Sequence, residues 1–164
     1  MGMLYEFLAG DHERLDDLLD RSVADPEKID LKIYSEFRRG LLGHIGIEEK
    51  IILPAIARLQ NGKQAEVAAR LRLDHGALVA LLVPSPTMPI VETIRLILRV
   101  HNPLEEKEDG LYQLIDSLAG NEVNDLLERV KNYPEVPMNP YNDWPGVLDV
   151  ARRTVERAGH KPSF

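Results

Sequence analysis

The chain has 164 residues, enough for one domain with a real core and too few for two. A net charge of −7, with basic residues that form no stripe, argues against a nucleic-acid partner, which needs clustered Lys and Arg. No run of about twenty apolar residues occurs, the first residues carry no basic leader-like segment and cysteine is absent, so a soluble cytoplasmic protein without disulfides or membrane contact is expected.

A first helix is expected from about Leu4 to Val23, with Leu4, Leu8, Leu15 and Leu19 at helical spacing, Asp11-His12 at its middle and Asp25-Pro26 as its stop. The second begins near Asp30, aligns Phe37, Leu41, His44, Glu48 and Ile52 on one stripe, and ends by Asn61-Gly62; Pro54 is the point where it would bend. A third helix, Gln64 to Leu82, carries Leu71, His75 and Leu78 on one face before Pro84-Ser85-Pro86 breaks it. The fourth, Ile90 to about Leu118, lines up Ile94, Leu98, His101, Glu105 and Tyr112, with Pro103 and Gly110 as weak points. Asn121 would cap a continuation from Glu122 to Lys131. Beyond Tyr133, four prolines (Pro134, Pro137, Pro140 and Pro145) spell an extended connector, followed by a short helix from about Gly146 to Ala158. Trp144 is expected to anchor that helix outside the bundle, a dimer contact being the alternative. The fold class is therefore all-α: an up-down-up-down four-helix bundle over 1–133, with 134–164 as a Pro-rich extension whose extra helix packs on the bundle or on a partner.

Four of the five histidines belong to a pattern that occurs twice: Asp11-His12 then His44-x-x-x-Glu48-Glu49-Lys50, and Asp74-His75 then His101-x-x-x-Glu105-Glu106-Lys107. Residues four apart share a helix face, so His44 with Glu48, and His101 with Glu105, can each aim an imidazole and a carboxylate at one point. His12, His44, Glu48, His75, His101 and Glu105 together make a six-donor nitrogen and oxygen set. That set suits a pair of borderline ions such as iron or manganese better than a structural zinc site, which takes about four ligands and often thiolate. In this topology the second and fourth helices run the same way, and two ions between them could be bridged by both carboxylates. A single histidine would more readily be an ordinary core or surface imidazole. Four at mid-helix on apolar stripes reverse that, because unliganded inward imidazoles are buried polar groups with a desolvation penalty. Glu49 and Glu106, about 100° round from the ligand face, are expected to be mainly solvated, with support of a ligand from behind as the alternative. Asp11 and Asp74 lie off their histidines' faces, leaving a carboxylate–imidazole relay as the sharper alternative to plain solvation. Tyr5 and Tyr112 stand near whole helical turns from the ligands and should project inward, as packing residues or as gates and electron donors. His160, in a polar tail, is not expected to be a ligand.

At these residues the chain resembles the hemerythrin-like HHE cation-binding domains, four-helix bundles that hold a non-haem di-iron centre. The resemblance spans about residues 3–120 in motif order and includes Leu53-Pro54 after the first His-x-x-x-Glu-Glu and Leu111-Tyr112 after the second. It implies that His12, His44, His75 and His101 are terminal ligands and Glu48 and Glu105 bridging carboxylates. The implied cofactor is two iron ions under oxo and carboxylate bridging, with manganese or zinc as alternatives. Leu111-Tyr112 falls two residues later after its histidine than Ile52-Leu53 does, so Glu106 or Glu108 could take the place of Glu105. Oxygen-carrying members use a further histidine one turn beyond the third-helix ligand, where this chain has Val79, so reversible oxygen carriage is not the expected default. The resemblance implies a metal-ion protein that handles iron, oxygen or nitric oxide by binding and redox change, its partner being a small gaseous ligand or iron itself. The alternatives are a peroxidase-, oxidase- or nitric-oxide-reductase-like enzyme, and a metal-stabilised structural bundle that forms a homodimer through its C-terminal segment.

Overall fold

The computed structural model describes residues 2–164, and all their regular structure is helical. Helix α1 (Met3–Ser22) rises without a side-chain cap of its own; the Asp116 carboxylate instead accepts from the backbone N–H groups of Leu4 (3.1 Å) and Tyr5 (2.9 Å). Helix α2 (Leu31–Ile47) starts at Asp30, whose side chain accepts from Lys32 N and Ile33 N, as an N-cap does. It runs into a π-helical turn (Glu48–Ile52) and then α3 (Leu53–Leu59). The expected bend at Pro54 takes this form for a physical reason: the proline has no N–H, and its ring would collide with the carbonyl four residues back in an α-helix. Widening the turn before it relieves both constraints and seats Glu48 and Glu49 at the widened turn.

Helix α4 (Ala68–Leu81) begins four residues later than the periodicity suggests. The fourth long helix is interrupted: α5 (Met88–Glu106) stops at Lys107, and α6 (Leu111–Ala119) starts anew after Gly110. A β-carbon on Gly110 would stand 2.6 Å from the Glu105 carbonyl oxygen and 2.8 Å from that of Lys107, so only glycine permits this close turn. A 3₁₀ turn (Gly120–Glu122) leads to α7 (Val123–Lys131). The long elements alternate in direction, with α1 against α2 and α5, and α4 against α5.

Two apolar clusters bracket the middle of the bundle. Leu4, Leu8, Ile52, Leu71 and Tyr112 belong to one, and Leu15, Leu41, Leu78, Ile94 and Leu98 to the other. The histidines lie in the layer between them, held by walls that cannot hydrate them.

The C-terminal segment crosses back over the bundle and ends in α8 (Pro145–Arg157), which lays Ala151 and Val155 against α4. Arg38 holds the connector, donating to the carbonyls of Leu82 (2.7 Å) and Asn139 (2.8 Å) while its guanidinium covers the Tyr141 ring. Trp144 does not anchor this segment as expected. It is 77% exposed, and the small residues of α8 make the contact instead. No helix among the described residues is long and apolar enough to cross a membrane.

Candidate metal centre

All six candidate ligands are buried and meet in the layer between the two apolar clusters. They form two overlapping sets that could each hold a metal ion, His12, His44, Glu48 and Glu105, and Glu48, His75, His101 and Glu105, with donor atoms in each set within 4.8 Å of one another. The carboxylates belong to both sets and split their oxygens between them. Glu48 Oε1 lies 3.2 Å from His44 Nε2 while its Oε2 lies 3.0 Å from His75 Nε2. Glu105 Oε2 lies 3.3 Å from His12 Nε2 while its Oε1 lies 3.1 Å from His101 Nε2. Glu105, rather than Glu106 or the exposed Glu108, is thus the second carboxylate common to both sets.

Each imidazole is turned so that Nε2 faces inward and Nδ1 meets an outer carboxylate. Asp11 takes His44 (2.8 Å), Glu49 takes His75 (2.7 Å), Asp74 takes His101 (3.2 Å) and Glu106 takes His12. Glu49 and Glu106 therefore take the supporting role that was the alternative, and the leading expectation of mere solvation is wrong. In a four-helix bundle the position about 100° from the inward one faces the neighbouring helix, not water. The four contacts run in one sense around the bundle, from α1 to α2, from the π-turn to α4, from α4 to α5, and from α5 back to α1. The signal was present in the sequence as the acid adjoining each ligand: Asp before His12 and His75, Glu after Glu48 and Glu105. With the Nδ1 proton donated outward, each Nε2 presents a lone pair, the form in which histidine binds a metal.

Three buried polar atoms in the cluster, Glu48 Oε2, His75 Nε2 and Glu105 Oε1, make no hydrogen bond, although each lies near another donor atom of the set. Lone pairs that approach without a proton between them fit a common third atom. Left unmatched, each such buried group costs about 1–3 kcal/mol, so the residues present fit a cation.

Without a cation, protons take its place. Burial opposes charge on the His44 ring, but the Glu48 and Asp11 carboxylates outweigh it and push His44 up to about 10. Burial likewise opposes charge on His101, yet Asp74 and Glu105 carry it up to about 10. His12 and His75 rise for the same reason, against burial.

The two sets differ in what surrounds them. The Tyr112 hydroxyl, delivered by α6, donates to Glu48 Oε1 (2.6 Å) and lies 3.0 Å from His12 Nε2, 3.1 Å from His44 Nε2 and 3.1 Å from Glu105 Oε2. It touches all four residues of the first set and neither histidine of the second. Burial, and then the two carboxylates, hold its proton on well above the usual phenol range. Tyr5 stays further out: it packs edge-on against Tyr112 and donates to the Glu106 carbonyl. Val79, one turn beyond His75, is 39% exposed. His75 sits at the edge of the buried arc of α4, and four residues on, a further 40° carries the side chain out to the surface. A small void of ≈ 10 Å³, about the room of one water, adjoins both sets and is lined by His12, His44, Glu48, His101, Asn102 and apolar side chains. His160 belongs to neither donor set, but nor is it in a loose tail: its buried ring donates to Asp74.

The family model for the hemerythrin HHE cation-binding domain matches residues 3–133, and the chain belongs to that family. The match ends before the Pro-rich connector, so α8 and His160 lie outside it. Comparison with curated proteins and with solved structures gave no match.

Proposed function

We propose that this chain is a non-haem di-iron protein in which His12 and His44 hold one ion, His75 and His101 hold the other, and Glu48 and Glu105 bridge them. The observation that carries this reading is the sharing of both carboxylates between the two donor sets, each oxygen turned toward a different histidine. Six carboxylates surround the four imidazoles, giving the cluster a large negative charge that two cations offset, and the absence of thiolate favours borderline ions over a structural zinc. Iron would supply two metals able to change oxidation state, with room for a small ligand beside them.

The same geometry supports handling of iron, oxygen or nitric oxide by binding and redox change rather than turnover of an organic substrate. The void next to the ligands has about the room of one water, and its remaining walls are Leu15, Leu41, Ile45, Leu78 and Leu98 with Asp16 and Asn102 at one side. An organic substrate would need a cleft of several hundred Å³; one of ≈ 430 Å³ does reach His12 from the surface, but it is open, lined largely by charged side chains such as Glu13, Asp16, Arg95, Arg99 and Glu106, and touches none of the other five donors. Tyr112 favours a second reading, a redox enzyme acting on a small oxidant, because its phenol keeps a proton within hydrogen-bond reach of both bridging carboxylates. Anaerobic loading with ferrous iron, elemental analysis and absorption spectra before and after air test the proposal. About two iron per chain with a reversible spectral change under reductant is expected; metal-free protein, or spectra indifferent to air, would count against it.

A further inference from the structure

Of the four carboxylates that orient the histidines, three keep contact with water: the side chains of Asp11, Glu49 and Glu106 are 16%, 28% and 35% exposed. Asp74 is 0% exposed. A carboxylate removed from water needs its lone pairs filled by donors. Asp74 Oδ2 accepts from His101 Nδ1, and Oδ1 accepts from His160 Nε2 (2.8 Å) and Arg70 Nη2 (3.0 Å). Arg70 Nη2 also lies 2.9 Å from His160 Nε2, and a protonated Nε2 is the state that gives Oδ1 two donors.

His160 reaches this point because the end of α8 is built to turn it there. Gly159, at φ +84°, follows the last helical turn, Gly159 N donates to Glu156 O (2.9 Å), and His160 N donates to Val155 O (3.1 Å). This is the paired hydrogen-bond pattern of a Schellman cap, and it reverses the chain toward α4. Arg70 also donates to the Ala158 carbonyl, and Ser163 N donates to Thr93 Oγ1 (3.0 Å) on α5. The tail is thus pinned to α4 and α5, the helices that carry His75 and His101.

We propose that His160, with Arg70, is a positioning residue for the second metal position: through Asp74 it fixes the His101 ring, so that docking of the C-terminal segment and binding of the ion at His75 and His101 strengthen each other. The proposal rests on the two-ion reading above. Hydrogen-bonded partners of metal-binding histidines typically contribute 10–100-fold in affinity, and His160 acts one contact further out, so its effect falls at the low end of that range. It falls on one ion, because the first set orients its histidines through Asp11 and Glu106, which the tail does not touch. Coupling between two sites is reciprocal, so metal must also tighten the tail.

The test uses the full chain with cobalt(II) as the spectroscopic probe, titrated against a competing chelator. Wild type takes up two equivalents. His160→Leu weakens one of them by about tenfold and leaves the other; His160→Gln, whose amide can donate to Asp74 as Nε2 does, restores most of the loss; Asp11→Asn weakens the other equivalent. Limited proteolysis in the 134–145 connector is slower with cobalt than without in the wild type, and this protection shrinks in His160→Leu. Should the leucine variant not fold, His160→Asn, polar but too short to reach Asp74, replaces it. Unchanged affinity for both equivalents, equal weakening of both, or failure of glutamine to restore binding would each overturn the proposal while leaving the two-ion reading intact. A wild-type chain that takes up no cobalt would end both.

Discussion

The two halves of the cluster have the same inner donors and different surroundings. Each offers two Nε2 atoms and a share of Glu48 and Glu105, as the duplicated Asp-His and His-x-x-x-Glu-Glu pattern dictates. Around the first half stand the Tyr112 phenol and two outer carboxylates that water can reach; around the second, one outer carboxylate, Glu49, still meets water, while the other, Asp74, is sealed and backed by Arg70 and His160. The repeated segments make the inner donors, while the segments without a counterpart, α6 and the C-terminal strap, make the halves unequal. A pseudo-symmetric cage can thus acquire one half flanked by a phenol and one half with a sealed supporting carboxylate without altering a single inner donor.

Removing what the halves share should have the largest effect. Glu48→Ala, measured by elemental analysis after anaerobic loading, is expected to lose close to two metal equivalents, whereas His12→Ala or His75→Ala loses nearer one. The thermal stabilisation by metal should fall in proportion, since an ion bound only by the native state at a thousandfold excess over its Kd adds about 4 kcal/mol. Equal metal content in the glutamate and histidine variants would mean that the halves share no bridge.

Removing what one half owns should be next. Asp74→Asn and Asp11→Asn each take the charge from one histidine partner, and each should weaken one equivalent by about 10–100-fold. The Asp74 variant should sit at the larger end because no water can reach its site. Chelator competition that ranks Asp11→Asn as more damaging would reverse the assigned contrast.

Tyr112→Phe should leave both ions in place and alter only the first. Glu48 Oε1 loses its hydroxyl donor, a defect of about 1–3 kcal/mol if nothing replaces it. Cobalt spectra should therefore change for one equivalent and stay fixed for the other; a uniform change, or none, would show that the phenol does not belong to the first half.

The smallest contrast concerns pH, where the halves should agree. His44 in one and His101 in the other are both pushed up to about 10 in the metal-free chain. A raised folded-state value adds stability that is complete below the unfolded value of about 6.5 and is lost as pH rises through 10. The melting temperature of the metal-free protein should accordingly fall between about pH 6.5 and 10, while metal, which competes with those protons, should add more stability across the same window. Melting curves that run the other way in the metal-free protein would show that the imidazoles are not held charged.

The bundle and the six inner donors were legible because helical periodicity and the i, i+4 spacing are local properties of the chain. The break between α5 and α6 was only half legible: Pro103 and Gly110 marked weakness, but the close approach of Gly110 to the Glu105 and Lys107 carbonyls arises only when the turn is formed. Glu49 and Glu106 were misread because one helix considered alone has an outside, whereas in a bundle that flank is an interface. The exposure of Val79 was not legible, since spacing does not show that the buried arc of α4 ends near His75 instead of centring on it. His160 could not be found from spacing at all. It is separated from Asp74 by 86 positions, and its place depends on a helix cap and on a helix–helix contact between α4 and α8.

Anomalous diffraction from crystals of the full chain loaded with ferrous iron tests the shared-bridge centre most directly. Two peaks about 3–4 Å apart, each within bonding reach of one oxygen of Glu48 and one of Glu105, with His12 and His44 on one and His75 and His101 on the other, are the expected result. A single peak, or two peaks that do not share both carboxylates, would contradict it.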